Sequence, residues 1–210
     1  SELKYIPVGV PTLKTYDSVD AEQYVIALVQ YRTNFNSDIP ATLVRGYVQV
    51  DTGNVPGSQH VQLFNELLDG TKVAVKDTHG NNVYGVTSPQ WLGPFLQATK
   101  NKPVRVIFHN YLPKGADGDL FLPVDSSMMG SGMGPMNMSE PSSNGTVMDD
   151  VRNPSCTDMK DSMCFKDNRA TLHLHGGITP WISDGTPHQW ITPAGENTPW
   201  PQGVSVASYE

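Results

Sequence analysis

The sequence predicts an all-β sandwich, and three observations carry that reading. Glycine (19) and proline (17) are frequent across the 210 residues, which supplies many turns. No long stretch places apolar residues at the helical period. Several short runs are instead apolar throughout, or alternate apolar with polar, as strands do. A chain of this length suits one large domain or two small ones and can bury a substantial core.

The first expected strand spans 22–36. It begins as the apolar run Tyr24-Val25-Ile26-Ala27-Leu28-Val29 and ends in polar alternation. A turn at Asn36-Ser37-Asp38 leads into a second strand over 41–50, and Asp51 to Gly57 reads as a loop. Asp69-Gly70 and Gly93-Pro94 mark further connections. In Val104-Arg105-Val106-Ile107-Phe108-His109-Asn110 the alternation puts Val104, Val106 and Phe108 on the expected core side. His109 then points to solvent with Arg105. His60 and His79 lie in polar, turn-rich sequence and read the same way.

The net charge is −7, and no block of lysine or arginine is present. Nucleic acid and anionic membrane surfaces are therefore poor partners. No apolar run approaches the roughly eighteen residues that a spanning helix needs. The chain opens Ser1-Glu2-Leu3-Lys4 without a signal-type apolar segment, so a processed or trimmed form is expected.

Residues 126–168 differ in composition from the rest. All eight methionines fall between Met128 and Met163, among glycine, serine and proline, with no strand or helix period. A flexible excursion explains them, and soft thioether ligation of cuprous ion is the functional alternative. Asn137-Met138-Ser139 and Asn144-Gly145-Thr146 are glycosylation-type triplets, relevant only in a eukaryotic secretory setting. Cys156 and Cys164, with seven residues between them, favour a disulfide in an oxidising compartment, worth about 2–3 kcal/mol by loop entropy. Thiolate ligation of copper is the other reading.

The most informative stretch is Thr171-Leu172-His173-Leu174-His175-Gly176-Gly177. It reads as a buried strand, on which His173 and His175 share a face roughly 6–7 Å apart. Two imidazoles at that spacing can hold two metal ions or converge on one, and imidazole suits copper, zinc and iron. The glycines that follow remove side chains where something must approach the backbone.

From Arg169 the chain continues through Thr171-Leu172-His173-Leu174-His175-Gly176-Gly177 to Ser183-Asp184-Gly185 and Trp190. This segment resembles the first copper-binding motif of multicopper oxidases, in the branch of spore-coat laccases, bilirubin oxidases and phenoxazinone synthase. Leu43-Val44-Arg45-Gly46-Tyr47, Gly93-Pro94-Phe95 with Pro103-Val104-Arg105-Val106, and Leu120-Phe121-Leu122-Pro123-Val124-Asp125 are similar to earlier strands of that branch. The likeness covers most of residues 24–206.

The resemblance implies a cupredoxin-like Greek-key β-sandwich, the first such domain of an oxidase, over residues 1–210. It implies that His173 is a type-2 and His175 a type-3 copper ligand at a trinuclear cluster where dioxygen is reduced to water. Asp184 is similar to the acidic residue that this branch places beside the cluster, where it accepts hydrogen bonds from bound water and supports proton delivery. An Asx-turn ahead of Gly185 also accounts for Asp184, and both roles can coexist. His188 is not expected to be a ligand.

Only two of the family's eight cluster ligands occur here, and its Tyr-His-x-His and His-Cys-His stretches are absent from the sequence. The expectation is thus an incomplete sandwich, completed by a second polypeptide that carries the remaining ligands and the type-1 copper. The electron donor would be a phenol, a pyrrole-type compound or a metal ion, and the setting secreted or periplasmic. Two alternatives are a non-enzymatic periplasmic copper-binding module with a Met-rich arm, and a cuprous-ion oxidase that uses that arm.

Overall fold

The computed structural model describes residues 5–122, 166–185 and 189–197. Residues 126–165 of the Met-rich excursion, both glycosylation-type triplets, Cys156, Cys164 and His188 lie outside them, whereas the end expected to belong to that excursion is packed, with Lys166 and Asn168 buried. The described residues fall into two compact units, Ser1–Leu112 and Pro113–Glu210. The architecture is all-β. Among the described residues there are eight strands, and helical structure is confined to two short 3-10 turns, Gly115–Gly118 and Trp181–Ser183. Among these residues no helix is long and apolar enough to cross a membrane.

In the first unit, β1 (Thr12–Tyr16) turns directly into β2 (Val19–Thr33). The two-residue turn carries positive φ at both Asp17 and Ser18, the geometry that matches the twist of a tight hairpin. β2 is the hub. On one edge it pairs antiparallel with β1 over Val19–Gln23 and then with β3 (Thr42–Gln49) over Ile26–Thr33. On the other edge it pairs parallel with β8 (Val104–Asn110) over Glu22–Leu28. Gln49, at the end of β3, accepts from the Val10 N–H (2.9 Å) and donates to the Val10 carbonyl (2.6 Å).

Both faces of β2 are covered, which explains its continuous apolar run in place of alternation. On one face Ala27 and Val29 join Val48, Leu63, Val75 and Val83 in the core. The short strands β4 (Val61–Gln62), β5 (Phe64–Glu66), β6 (Lys72–Ala74) and β7 (Tyr84–Gly85) supply the layer around that core, with the β5–β6 hairpin turning at Asp69-Gly70 as the sequence suggests. Asn65 fastens this layer to the sheet: its Oδ1 accepts from the Gln30 N–H (2.9 Å) and its amide donates to the Tyr111 carbonyl (2.6 Å). On the opposite face Tyr24, 1% exposed, packs beside Gly9 and Leu96, and its hydroxyl donates to the Gln97 carbonyl at 3.0 Å.

The face assigned to β8 from sequence holds only towards the strand's end, where Phe108 is half-buried beside Tyr47. Val104 and Val106 are exposed, whereas His109 lies level with core residue Ala27 across the β2–β8 pairing. Its ring stacks on Tyr111, which packs against the core, with centroids 5.4 Å apart. Burial follows position along the strand and not parity: Arg105, on the His109 side, is exposed, and Phe108 and His109 lie level with buried Ile26 and Ala27.

Burial holds the His109 imidazole below its usual pKa of about 6.5. The unfolded chain therefore takes up the proton first, so stability from this residue is complete above about pH 6.5 and is lost as pH falls toward the folded value. Unfolding free energy measured from pH 7.5 to 5 should decline in wild type and flatten in His109→Phe. An unchanged slope in the variant would remove His109 as the cause.

Candidate metal centre

The second unit holds its histidine segment on a buried polar anchor. Asn168 is fully buried; its amide donates to the Pro113 carbonyl (3.1 Å) and to Glu196 Oε2 (2.6 Å). Arg169 Nη1 donates to Asn168 Oδ1 and to Glu196 Oε1, each at 2.8 Å, and the guanidinium lies 5.7 Å from the Trp190 ring centre. Desolvation lowers the Arg169 pKa, and the adjacent Glu196 carboxylate opposes that shift. Next in sequence, Ala170 and Ile191 exchange antiparallel backbone bonds of 3.2 and 2.7 Å.

The buried strand expected for Thr171 to His175 does not form. After the Ala170–Ile191 bridge the backbone carries no ladder, and it turns at His175-Gly176 with Gly176 at φ +87°. His173 and His175 are exposed, and Leu174 between them is 57% exposed. The alternation Leu172-His173-Leu174-His175 suggests a strand, but a left-handed glycine immediately after it reverses the chain.

The histidine pair is nevertheless brought together. The two rings have centroids 5.7 Å apart and planes inclined by 50°. Asp184 stands beside the first of them: its main-chain oxygen lies 2.8 Å from His173 Nδ1, and its carboxylate Oδ1 3.0 Å from the same nitrogen. Asp184 caps the 3-10 turn Trp181–Ser183, with its N–H directed to the Trp181 carbonyl at 3.3 Å. All three residues singled out from sequence, His173, His175 and Asp184, thus share one site. Sequence reasoning missed the contact between Asp184 and His173 itself, because two residues eleven positions apart across a turn leave no periodic signal.

His60 and His79 belong to the first unit. His79 is exposed on a turn where Asp77 accepts from the backbone N–H groups of His79 and Asn81. His60 is exposed but held: its Nδ1 lies 2.9 Å from Asp51 Oδ2, and its ring stacks on Tyr84 at 4.0 Å. Ser58 Oγ donates to the same carboxylate oxygen at 2.7 Å. These bonds, the Ser58 one foremost, hold the Asp51 carboxyl below its usual range.

The donor set fits a copper-type site in part. Two imidazoles suit a borderline or soft transition metal, and one already has its second nitrogen engaged by an oxygen acceptor, as metal-bound histidines usually do. Among the described residues no group of three His, Cys, Asp or Glu side chains is placed to hold a metal ion. No protein-family model matches the chain, and no curated protein matches it.

Proposed function

We propose that these residues are the amino-terminal part of a laccase-like multicopper oxidase, built as a cupredoxin-like Greek-key sandwich. The observation that carries the reading is the joint placement of His173, His175 and Asp184. It occurs within the Thr171–Trp190 segment, whose residues resemble that family's first copper motif. The all-β architecture supports it.

In this reading His173 and His175 hold type-2 and type-3 copper at a trinuclear cluster. The Asp184 carboxylate stands beside His173, where it can accept a hydrogen bond from bound water and pass protons. Copper bound there supplies the redox chemistry, taking electrons singly from a phenolic, pyrrole-type or metal-ion donor into the four-electron reduction of dioxygen to water. Two imidazoles cannot complete such a cluster. The remaining ligands and the electron-accepting type-1 site come from polypeptide other than the described residues, for which a second chain is the proposed source. A secreted or periplasmic setting follows from the same reading.

His175→Ala in the assembled oxidase should lower both copper content and oxygen consumption, because one cluster ligand is gone. Copper analysis alongside an oxygen electrode measures both. Turnover by that variant at the wild-type rate would refute the assignment.

A further inference from the structure

We infer that the turn ending in Asp184-Gly185 selects which nitrogen of His173 serves as the metal donor, with Gly185 as the positioning residue. The inference rests on the metal-ligating role of His173 proposed above. The Asp184 carbonyl lies 2.8 Å from His173 Nδ1, and the Asp184 carboxylate oxygen 3.0 Å from it. A carbonyl oxygen only accepts hydrogen bonds, so the contact with the Asp184 carbonyl requires the hydrogen on Nδ1. A neutral imidazole with Nδ1–H carries its lone pair on Nε2. Nε2 is then the donor atom, and the metal is held on the side of the ring away from Asp184.

The aim of that carbonyl comes from the backbone around it. The 3-10 turn closes through Ser183 N–H to the Pro180 carbonyl at 2.9 Å and leaves Asp184 at φ −102°, ψ 14°. The following residue, Gly185, is left-handed at φ +73°. A Cβ there would lie 2.8 Å from the Leu172 carbonyl oxygen, on the residue directly preceding His173. Gly185 thus lets the turn close onto the backbone that carries the ligand. Any L side chain is disfavoured by the positive φ and also pushes Leu172–His173 away from Asp184.

The test reads the tautomer in metal-free protein labelled with 15N at histidine, by long-range 1H–15N correlation at a pH of about 8, where imidazole is neutral. His173 should show the Nδ1–H pattern in wild type and in Asp184→Asn, which keeps the main-chain acceptor. Gly185→Ala should lose it. An Nε2–H pattern in wild type overturns the inference, as does an Nδ1–H pattern that persists in folded Gly185→Ala. If Gly185→Ala fails to fold, the wild-type and Asp184→Asn spectra still decide. Because no metal is present in the measurement, the two readings fail separately. A protein with the Nδ1–H tautomer that binds no copper keeps the turn's hold on the ring but sinks the oxidase reading and the donor assignment with it, whereas a copper-binding protein with the Nε2–H tautomer sinks this inference alone.

Discussion

Glu196→Ala is expected to destabilise the Pro113–Glu210 unit by about 3–5 kcal/mol, the usual cost of stripping one partner from a buried ion pair. Both side chains of the Arg169–Glu196 pair are about nine-tenths buried, and their closest approach is 2.8 Å. Arg169 Nε and Nη2 are buried without a hydrogen-bond acceptor, so Glu196 is the guanidinium's charge partner within the anchor. Removing the carboxylate leaves a desolvated cation and also deprives the Asn168 amide of one of its acceptors. Glu196→Gln keeps the shape and one acceptor oxygen but loses the charge, so its loss should be intermediate. Urea unfolding followed through the Trp190 indole resonance measures both. A loss below about 1 kcal/mol for Glu196→Ala, typical of an exposed pair, would count against the pair as an anchor. The change also bears on the histidine pair, because Ala170 pairs with Ile191 immediately after Arg169 and only three residues before His173.

Leu63→Ala should cost about 2–5 kcal/mol in the Ser1–Leu112 unit. Leu63 is 1% exposed and belongs to the cluster of Ala27, Val29, Val48, Val75 and Val83. Its backbone is fixed as well, with its N–H donating to the Val83 carbonyl and its carbonyl accepting from Val75, each at 2.9 Å. The side chain is therefore held on a rigid frame that cannot collapse into the cavity left behind. Leu68→Ala, at a position 64% exposed, should stay within about 0.5 kcal/mol of wild type. Comparable midpoints for the two variants in denaturant would show that the packing around Leu63 is not limiting.

The strands of the first unit were legible because their signals are local. The apolar run at Tyr24–Val29 and the alternating segment at 104–110 are strands, and the Asn36-Ser37-Asp38, Asp51–Gly57 and Asp69-Gly70 connections lie where turn residues cluster. What sequence could not supply was where burial begins. On β8 Val104–Val106 are exposed and Ile107–Asn110 are half-buried or buried, and Tyr111, just beyond the alternating run, packs against the core. At the candidate metal centre, two histidines one residue apart and a neighbouring aspartate were legible as residue types, whereas the strand that would have put both on one face does not form. Leucines at alternate positions satisfy a strand pattern, yet no partner strand receives them beyond the Ala170–Ile191 bridge. The anchor beneath them joins Asn168 and Arg169 to Glu196, more than twenty-five residues away, a distance at which periodicity carries no information.

The double-edged pairing of β2 has a kinetic consequence. Its hairpins with β1 and β3 close over short stretches of chain, so they can form while synthesis is still under way. The parallel partner on the other edge is about eighty residues downstream at Glu22 and Val104, and joining it means closing a long loop before any reward arrives. Until then one flank of the central strand stands bare, a template for the wrong neighbour. Refolding should accordingly show a slow phase set by the arrival of β8, and the yield should fall as protein concentration rises.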